Sequence, residues 1–413
     1  MKASEVFTPQ RMPTVTLVLE HLTKLEQCFD EAVDEGGKLI RVIGPSKSGK
    51  TVFVRNKVGQ GNLVSVTGAG IESVDQLWLR VLDAVGATIP QTETASTGAE
   101  ASYGGNVKIA GNAIFATGEV QGAIGRTRSE ESSQTMQRAV DILQTLIREF
   151  DGSGLYIFID DFHYIPASIQ NSASKQIKQA VEKGVFIISA AVPYRSEDII
   201  KSNDDLQGRF ADLVFEYWEC DQLVEIAKQG FPHLNIEYNS NYSMELASEA
   251  AGSPQLMQTL CLHTCYELGV KETGAVVAIP GDRQFFERVC ARAANSVDFS
   301  STIEKLCEGP LTRGRQRISY ALRDGGNADV YPILVKALKE NPPTLHFKYR
   351  DLVERAQHQC VRDTPSGSSI SDACHHLAKI ANSGFPTQKM DWNPDEQVLS
   401  VRDPYLLFSI RWA

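Results

Sequence analysis

Eight residues decide the fold of this chain: Gly44-Pro45-Ser46-Lys47-Ser48-Gly49-Lys50-Thr51. They match G-x-x-x-x-G-K-T, the Walker A phosphate-binding loop. The preceding apolar run, Lys38–Ile43, predicts a strand, and Val52 begins a segment with helical character. Because strand, glycine-rich turn and helix occur in that order, the context favours a phosphate site over a chance match in a Gly/Ser/Lys-rich turn.

The residue types in the loop suit phosphate binding. Gly44 and Gly49 permit backbone angles at which successive N–H groups face phosphate oxygens. The N-terminal end of the next helix adds positive charge. Lys50 is predicted to reach the β- and γ-phosphates, and the Thr51 hydroxyl to ligate Mg²⁺. We therefore expect residues 44–52 to contact the nucleotide.

Length and composition limit the number of domains and the kinds of partner that this chain can have. The chain has 413 residues, 42% of them hydrophobic, which predicts two or three globular domains. A net charge of −10 argues against wholesale coating of nucleic acid, although it leaves room for a local basic face. No apolar run reaches the roughly 18 residues of a membrane span. The first residues do not resemble a signal peptide, so we expect a cytoplasmic protein without a membrane partner.

The cysteines are predicted to be free thiols. There are eight, none in a C-x-x-C pair. Cys261 and Cys265 are four residues apart, and Cys374 precedes two histidines, but no second ligand pair stands at zinc spacing. Reduced thiols in the cytoplasm are the expected state.

A second motif carries carboxylates. Leu155–Asp161 is a run of apolar β-formers that ends in Asp160 and Asp161, which predicts a buried parallel strand with acids at its C-terminal tip. This is the Walker B pattern. Asp160 is predicted to hold Mg²⁺ through water, and Asp161 to polarise the attacking water as general base. The alternative is a strand that ends in a solvated Asp-Asp turn.

Two arginines are candidate contacts to phosphate. Arg195 follows the predicted strand Val185–Ala191 and is the stronger candidate for a γ-phosphate sensor beside Ser189. Its alternative is a surface arginine balanced by neighbouring acids. Arg209 is predicted either as an arginine finger across a subunit interface or as a structural arginine paired with Asp212 or Asp204.

The segments before and inside this region are less regular. Residues 1–37 predict an extended arm and a helix, Leu17–Val33, that braces the nucleotide domain; the alternative is an arm over the adenine or a neighbouring subunit. Residues 86–132 are rich in Gly, Ala, Ser and Thr and predict an insertion with a β-hairpin about Gly111-Asn112. It is either a solvated loop or a contact surface.

A helical region follows the predicted sheet. Asp221 is expected to cap its first helix. A helix over Tyr242–Ala251 ends at Gly252, and Ser253-Pro254 opens the next, which resembles the hinge of a lid. We expect Pro254 to lie near the nucleotide. A basic cluster, Arg313–Arg323, predicts a solvated face or a contact to nucleic-acid phosphates.

The last 85 or so residues predict a winged helix-turn-helix. Its helices are expected over Val330–Leu338, Tyr349–Gln357 and Ile370–Asn382, followed by a strand–turn–strand and a final apolar stretch. The third helix carries Asp372, His375, His376 and Lys379, of which one is reliably cationic. A surface that faces protein is therefore favoured over one that reads DNA.

These motifs together resemble the STAND and initiator-like branch of the AAA+ ATPases. The residues that carry the resemblance are Gly44–Thr51, Ile157–His163, Gly252-Ser253-Pro254 and Asp403–Trp412. The resemblance implies an α/β P-loop fold with a helical lid and a winged helix that close on ADP and open or assemble with ATP. An arginine of the sensor-2 type is absent from the lid, where Gln255 and Gln258 stand instead.

The resemblance also sets the predicted domains and partners. The domains are residues 1–37, 38–218 with the insertion at 86–132, 219–328 and 329–413. The implied function is an ATP-hydrolysing switch that uses Mg²⁺, forms a homo-oligomer or recruits a separate effector or sensor protein, and acts in bacterial antiphage defence. The alternatives are a DNA-associated ATPase of the loader, initiator or transposition-regulator type, and a nucleotide-locked scaffold.

Overall fold

The computed structural model describes residues 1–86, 141–192, 208–312, 314, 316–385 and 387–413. The part of the predicted insertion that follows Gly86 lies outside these residues. Arg195, Arg313 and Arg315 lie outside them as well. The chain forms two compact units. The sheet unit comprises Lys24–Ile43 and Phe53–Val214, and the loop unit comprises Met1–Thr23, Gly44–Val52 and Phe215–Ala413.

The sheet unit is built on five parallel strands in the order β2-β3-β4-β1-β5. Their bounds are Leu39–Ile43 (β1), Leu63–Thr67 (β2), Tyr156–Asp160 (β3), Phe186–Ala191 (β4) and Phe210–Val214 (β5). β1, β3 and β4 are almost entirely buried runs of β-branched and aromatic residues, as expected for strands covered on both faces. All five carboxyl ends lie at one edge of the sheet.

Helices cover this sheet: α2 (Thr23–Glu35), α3 (Lys50–Val58), α4 (Val74–Ala84), α5 (Ile142–Phe150) and α6 (Ala167–Glu182). Trp78 of α4 is fully buried, and its indole N–H donates to Gln176 of α6 at 2.5 Å, which satisfies its only polar atom. Phe29 of α2 packs against Phe53 and Tyr156. This contact is what a brace helix requires.

Strand β5 was not expected from the sequence, which marks Phe210 only as the neighbour of a candidate arginine finger. It pairs with β1 because Asp212 accepts two hydrogen bonds from Arg41, a buried residue of β1. The guanidinium also lies over the Phe210 ring at 4.0 Å. A buried arginine needs such a carboxylate partner, so the pairing is a tertiary requirement.

The loop unit begins with a short helix, α1 (Ala3–Val6), which precedes the predicted arm. A lid of helices follows: α7 (Cys220–His233), α8 (Ser240–Glu249), α9 (Pro254–Glu267), α10 (Arg283–Ala294) and α11 (Ser300–Glu308). Helix α7 starts earlier than predicted, because Glu219 rather than Asp221 is its N-terminal capping residue and forms a capping box with Gln222. Two small sheets accompany the lid: β6 (Ile236–Glu237) with β7 (Val277–Ala278), and β8 (Tyr320–Ala321) with β9 (Asn327–Ala328).

The end of the loop unit has the three helices and β-sheet of a winged helix. The helices are α12 (Val330–Lys339), α13 (Tyr349–Gln359) and α14 (Gly367–Asn382), and the strands are β10 (His346–Lys348), β11 (Met390–Asn393) and β12 (Val398–Val401). Helix α14 begins before the predicted residue because the Ser366 hydroxyl accepts the Ser369 N–H. The chain ends in α15 (Pro404–Trp412), of which seven residues are buried.

All eight cysteines lie in the described part of the chain and are free thiols. Burial raises the pKa of Cys265 and of Cys374 to about 12, so both stay protonated at neutral pH. Within the described residues, no helix combines the length and the apolar character that crossing a membrane demands.

Candidate functional site

The phosphate loop follows β1 directly and depends on its two glycines. A Cβ atom on Gly44 would lie 2.5 Å from Cβ of Phe215 and 2.7 Å from its carbonyl oxygen, so a side chain there has no room. Gly49 has φ of +95°, which glycine adopts without steric cost. Lys47 also has a positive φ, +66°, which costs a non-glycine residue about 1 kcal/mol or more. The surrounding structure therefore holds the loop backbone in a strained conformation, as is common at binding sites.

Lys50, the first residue of α3, reaches back over this loop. Its ammonium donates to the carbonyl oxygens of Gly44 at 2.8 Å and Pro45 at 2.5 Å. The Ser48 hydroxyl donates to Pro45 O at 2.9 Å. Phosphate oxygens are stronger acceptors for an ammonium than carbonyl oxygens, so Lys50 can exchange these partners for a nucleotide. Thr51 follows it in the first turn of α3.

Lys47 makes the contact that the sequence did not reveal. Its ammonium donates to Oδ1 of Asp403 at 2.9 Å and lies 4.1 Å above the Tyr405 ring. Lys389 donates to the other oxygen, Oδ2, at 2.6 Å. Asp403 also accepts the Tyr405 N–H and so begins α15. One carboxylate thus joins the phosphate loop, the winged helix and the C-terminal helix.

Burial governs the charges of this group. Burial by itself would raise the pKa of Asp403, but the positive charges of Lys47 and Lys389 outweigh it and hold the pKa below its ordinary value. Burial lowers the pKa of Lys47, an effect that Asp403 opposes. Lys47 is the more distant of the two cations on this carboxylate, at 2.9 Å against 2.6 Å for Lys389.

The start of α9 lies against the same loop. The Ser253 hydroxyl is 3.5 Å from the Lys47 carbonyl oxygen and accepts the Leu256 N–H as the helix cap. A Cβ on Gly49 would be 4.0 Å from Pro254, so Pro254 lies beside the loop. Its predicted contact with the nucleotide stays a prediction. Trp218 donates its indole N–H to Ser48 O at 3.1 Å. These contacts tie the predicted lid hinge to the phosphate loop.

Gln258 of the lid serves the N-terminal arm. Its side-chain oxygen accepts the Thr8 N–H at 3.1 Å, and its amide donates to the Thr16 hydroxyl at 2.7 Å. It is buried. A side chain with both polar ends occupied in this way fixes the arm to α9 and is unsuited to sensing a phosphate.

In the sheet unit, Asp160 ends β3 and Asp161 begins the following turn. Asp161 has a left-handed backbone with φ of +55°, and its N–H donates to Oδ1 of Asp160 at 2.9 Å. Its carbonyl accepts the Tyr164 N–H at 2.9 Å. A strained non-glycine backbone is maintained only where its surroundings impose it, and such residues cluster at functional sites.

The two arginine candidates fare differently. Arg209 forms an ion pair with Glu182 of α6 at 2.7 Å, with 44% of its side chain exposed. Its partner in this contact is Glu182 and not Asp212, and its side chain is open to solvent. Asp204, the other predicted partner, lies outside the described residues. Arg195 lies outside the described residues. The proposed phosphate contacts of both arginines stay predictions.

The residues present fit a nucleotide and Mg²⁺. The loop has a left-handed glycine, a helix N-terminus and a lysine on replaceable acceptors. Among the described residues there is no cluster of three or more His, Cys, Asp or Glu that would hold a metal by protein ligands alone. Mg²⁺ that keeps several waters and binds phosphate oxygens needs no such cluster.

Comparison with known proteins places the fold. No family model and no curated protein matches the chain. A solved Walker-type ATPase of Pyrococcus abyssi is similar over 94% of this chain and 95% of its own, with a TM-score of 0.50 and 12% identity. The chain shares the fold of this Walker-type ATPase, with its phosphate loop after the first strand of a five-stranded parallel sheet. The predicted fold class is confirmed.

Two further solved structures cover nearly the whole chain with lower scores. ORC2 of Aeropyrum pernix, in its ADP form, covers 98% of this chain and 96% of its own at 11% identity, with a TM-score of 0.44. Cdc6p of Pyrobaculum aerophilum covers the same shares at 13% identity, with a TM-score of 0.43. At such identities a likeness concerns fold and says nothing of activity.

Sequence reasoning missed the roles of Asp403, Lys389 and Trp218. Asp403-Pro404 was recognised only as the start of the final apolar stretch, and nothing local says which cation its carboxylate meets. A lysine inside the loop, Lys47, besides the motif's own Lys50, was the available signal. An additional, partly buried cation favours a carboxylate partner from elsewhere in the fold.

Proposed function

We propose that this protein is an ATP-binding and ATP-hydrolysing switch whose C-terminal helix holds the phosphate loop in one of its states. The observation that carries the proposal is the hydrogen-bonded ion pair between Lys47 of the loop and Asp403 at the start of α15. In the proposal, Lys50 and the loop amides bind phosphate, Thr51 and Asp160 bind Mg²⁺, and Asp161 is the general base.

Electrostatics give ATP a reason to open this contact. A triphosphate brings more negative charge to the loop than a diphosphate, so it competes more strongly for Lys47 and repels Asp403 more strongly. A ligand shifts a conformational equilibrium only by its differential affinity for the two states. The Lys47–Asp403 ion pair supplies such a difference in affinity, because ATP disfavours the paired state more than ADP does.

Lys389 makes the exchange reversible. Removing the only partner of a buried carboxylate would cost about 3–5 kcal/mol, more than a switch can use. Asp403 keeps its 2.6 Å hydrogen bond to Lys389 when Lys47 leaves. The contact can therefore open without stranding a buried charge.

We extend the proposal to assembly, through the resemblance to the STAND branch. The open state forms a homo-oligomer or recruits a separate effector or sensor protein, in the cytoplasm of a bacterium and in antiphage defence. Arg209, exposed beside Glu182, is available to a neighbouring subunit. Arg195 is the proposed sensor of the γ-phosphate.

Light scattering of the purified chain tests the switch. Its molar mass is measured with ADP, with ATP and, for Asp161→Asn, with ATP. A small species with ADP that assembles with ATP supports the proposal, and Asp161→Asn should prolong the assembled state. A molar mass that does not change with nucleotide, together with no binding of ATP, would overturn the proposed switch in favour of a scaffold.

A second candidate is a DNA-associated ATPase, favoured by the winged helix. The exposed positions of α14 are Ser368, Asp372, His375 and Lys379, among which one carboxylate offsets the one lysine. The strand turn of the wing is acidic, at Asp395 and Glu396. DNA binding through this domain would show an affinity that falls steeply with salt; no binding at about 50 mM salt would exclude it.

A further inference from the structure

The turn after β2 touches the backbone of Asp161. The Gly68 N–H donates to the Asp160 carbonyl at 2.8 Å, so the parallel pairing of β2 and β3 continues one residue past Thr67. A Cβ atom on Gly68 would lie 2.6 Å from the Asp161 carbonyl oxygen and 3.1 Å from Ile165. Only glycine allows the two peptides to approach this closely.

One arginine holds that turn. Arg80, on α4, donates from Nη1 to the carbonyl oxygens of Thr67 at 3.0 Å and Ala69 at 2.6 Å. Its Nη2 donates to Gly70 O at 2.8 Å. A planar guanidinium that binds three carbonyl groups within a stretch of four residues fixes the path of the chain between them, because its donors have a rigid geometry. Gly68 is in the middle of that path.

The Asp161 backbone is sensitive to this contact. Its left-handed conformation, with φ of +55° and ψ of +38°, sets the direction in which the carboxylate leaves the chain. The same carbonyl that faces Gly68 also accepts the Tyr164 N–H. A side chain at position 68 would press on this peptide and therefore rotate Asp161, whose carboxylate the proposed reaction uses.

We propose that Gly68 and Arg80 are positioning residues for Asp161, which they orient through its main chain. The proposal rests on the proposed function, in which Asp161 is the general base. Neither residue supplies a group to the reaction. A displacement of about 1 Å in a general base costs on the order of 100-fold in rate, so a peptide pushed by one methyl group is enough to be measured.

Steady-state ATP turnover of the full chain tests the proposal. Gly68→Ala adds the methyl group, Arg80→Ala removes the clamp, and Arg80→Lys keeps a cation without the planar fork. We expect kcat to fall about 10- to 100-fold for Gly68→Ala and Arg80→Ala, and less for Arg80→Lys, while KM for ATP stays within about 2-fold. A role in folding alone would instead lower the unfolding temperature and leave kcat per folded molecule unchanged.

Matched controls lie in the same unit. Gly61→Ala places a methyl group where nothing lies within 4 Å. Arg148→Ala removes an arginine that is 70% exposed and pairs only with Glu149 among the ion pairs of the described residues. Both should turn over ATP like the unmodified chain. Arg80 is only partly buried, so Arg80→Ala keeps the test usable if Gly68→Ala fails to fold.

A double-mutant cycle identifies the residue through which the effect passes. If Gly68 and Arg80 act only by orienting Asp161, then Gly68→Ala and Arg80→Ala should cause no further loss in an Asp161→Asn background. Losses that multiply in the double mutants would overturn the proposal. Unchanged kcat in both single mutants would do the same.

The outcomes separate this proposal from the proposed function. If the unmodified chain neither binds nor hydrolyses ATP, the proposed function fails and the positioning role fails with it. If ATP turnover is present and Asp161→Asn abolishes it, while Gly68→Ala and Arg80→Ala behave like their controls, only the positioning role fails.

Discussion

Asp403 and Lys47 are 356 residues apart in the sequence and 2.9 Å apart in space. The carboxylate is almost completely buried, with 4% of its side chain exposed. It belongs to the first turn of the last helix, and the lysine belongs to the phosphate loop. The last helix is therefore in direct contact with the loop that would bind phosphate. A displacement of either element changes the contacts of the other.

Replacing Asp403 tests this contact. Asp403→Asn leaves the partly buried Lys47 and Lys389 without a countercharge, and we expect a loss of about 3 kcal/mol in the free energy of unfolding, measured with urea. We also expect assembly to need less ATP, because the closed state is weakened. Asp391→Asn is the control, since it breaks an ion pair with Arg402 in the same domain at 2.8 Å. Equal behaviour of the two variants would argue that the Lys47–Asp403 ion pair does not stabilise the closed state.

The stability of the fold should depend on pH through Asp403. Its pKa in the folded state lies below the ordinary 3.8, so its contribution is complete above that value. The contribution is lost as the pH falls through the folded-state pKa, because the unfolded chain takes up the proton first. In urea titrations, the difference between the unmodified chain and Asp403→Asn should shrink from about pH 5 to pH 2. A constant difference would contradict this assignment.

Lys50 and Asp161 should separate binding from turnover. Lys50→Ala removes the ammonium that is predicted to meet the β- and γ-phosphates, and we expect ATP binding to be lost in calorimetry. Asp161→Asn should bind ATP and hydrolyse it about 100-fold or more slowly, as expected for a lost general base. Normal turnover in Asp161→Asn would remove Asp161 from the mechanism.

Arg209 can be tested against its own partner. Its ion pair with Glu182 is partly exposed and is worth less than about 1 kcal/mol. If Arg209 is a finger for a neighbouring subunit, Arg209→Ala should lower turnover by about 1,000-fold, while Glu182→Ala breaks the same pair and leaves turnover intact. Equal effects of the two substitutions would show that the arginine is structural.

Gly44 should tolerate no side chain. In Gly44→Ala the added methyl group would meet both Cβ and the carbonyl oxygen of Phe215, and backbone atoms cannot move aside cheaply. We expect a loss of about 1–3 kcal/mol in urea unfolding and weaker ATP binding. Gly61→Ala, with open space around it, should change neither quantity.

The sequence by itself determined the local parts of this protein. Strand β1, the phosphate loop, and β3 with its two acids could be predicted because each is set by a short run of residues: buried β-formers, glycines at fixed spacing, carboxylates at a strand end. The cap at Ser253 with Pro254 at the first helical position is local in the same sense. The winged helix followed from periodicity and turn residues.

The tertiary structure alone decided which charged residues meet. Lys47 with Asp403, Arg41 with Asp212, and Arg209 with Glu182 are pairs between segments far apart in the chain. A charge pattern shows that a cation needs a partner, but the partner is chosen by how the elements pack, and burial then makes the choice energetically significant. The glycine that faces Asp161 belongs to the same class, because its neighbour comes from another strand.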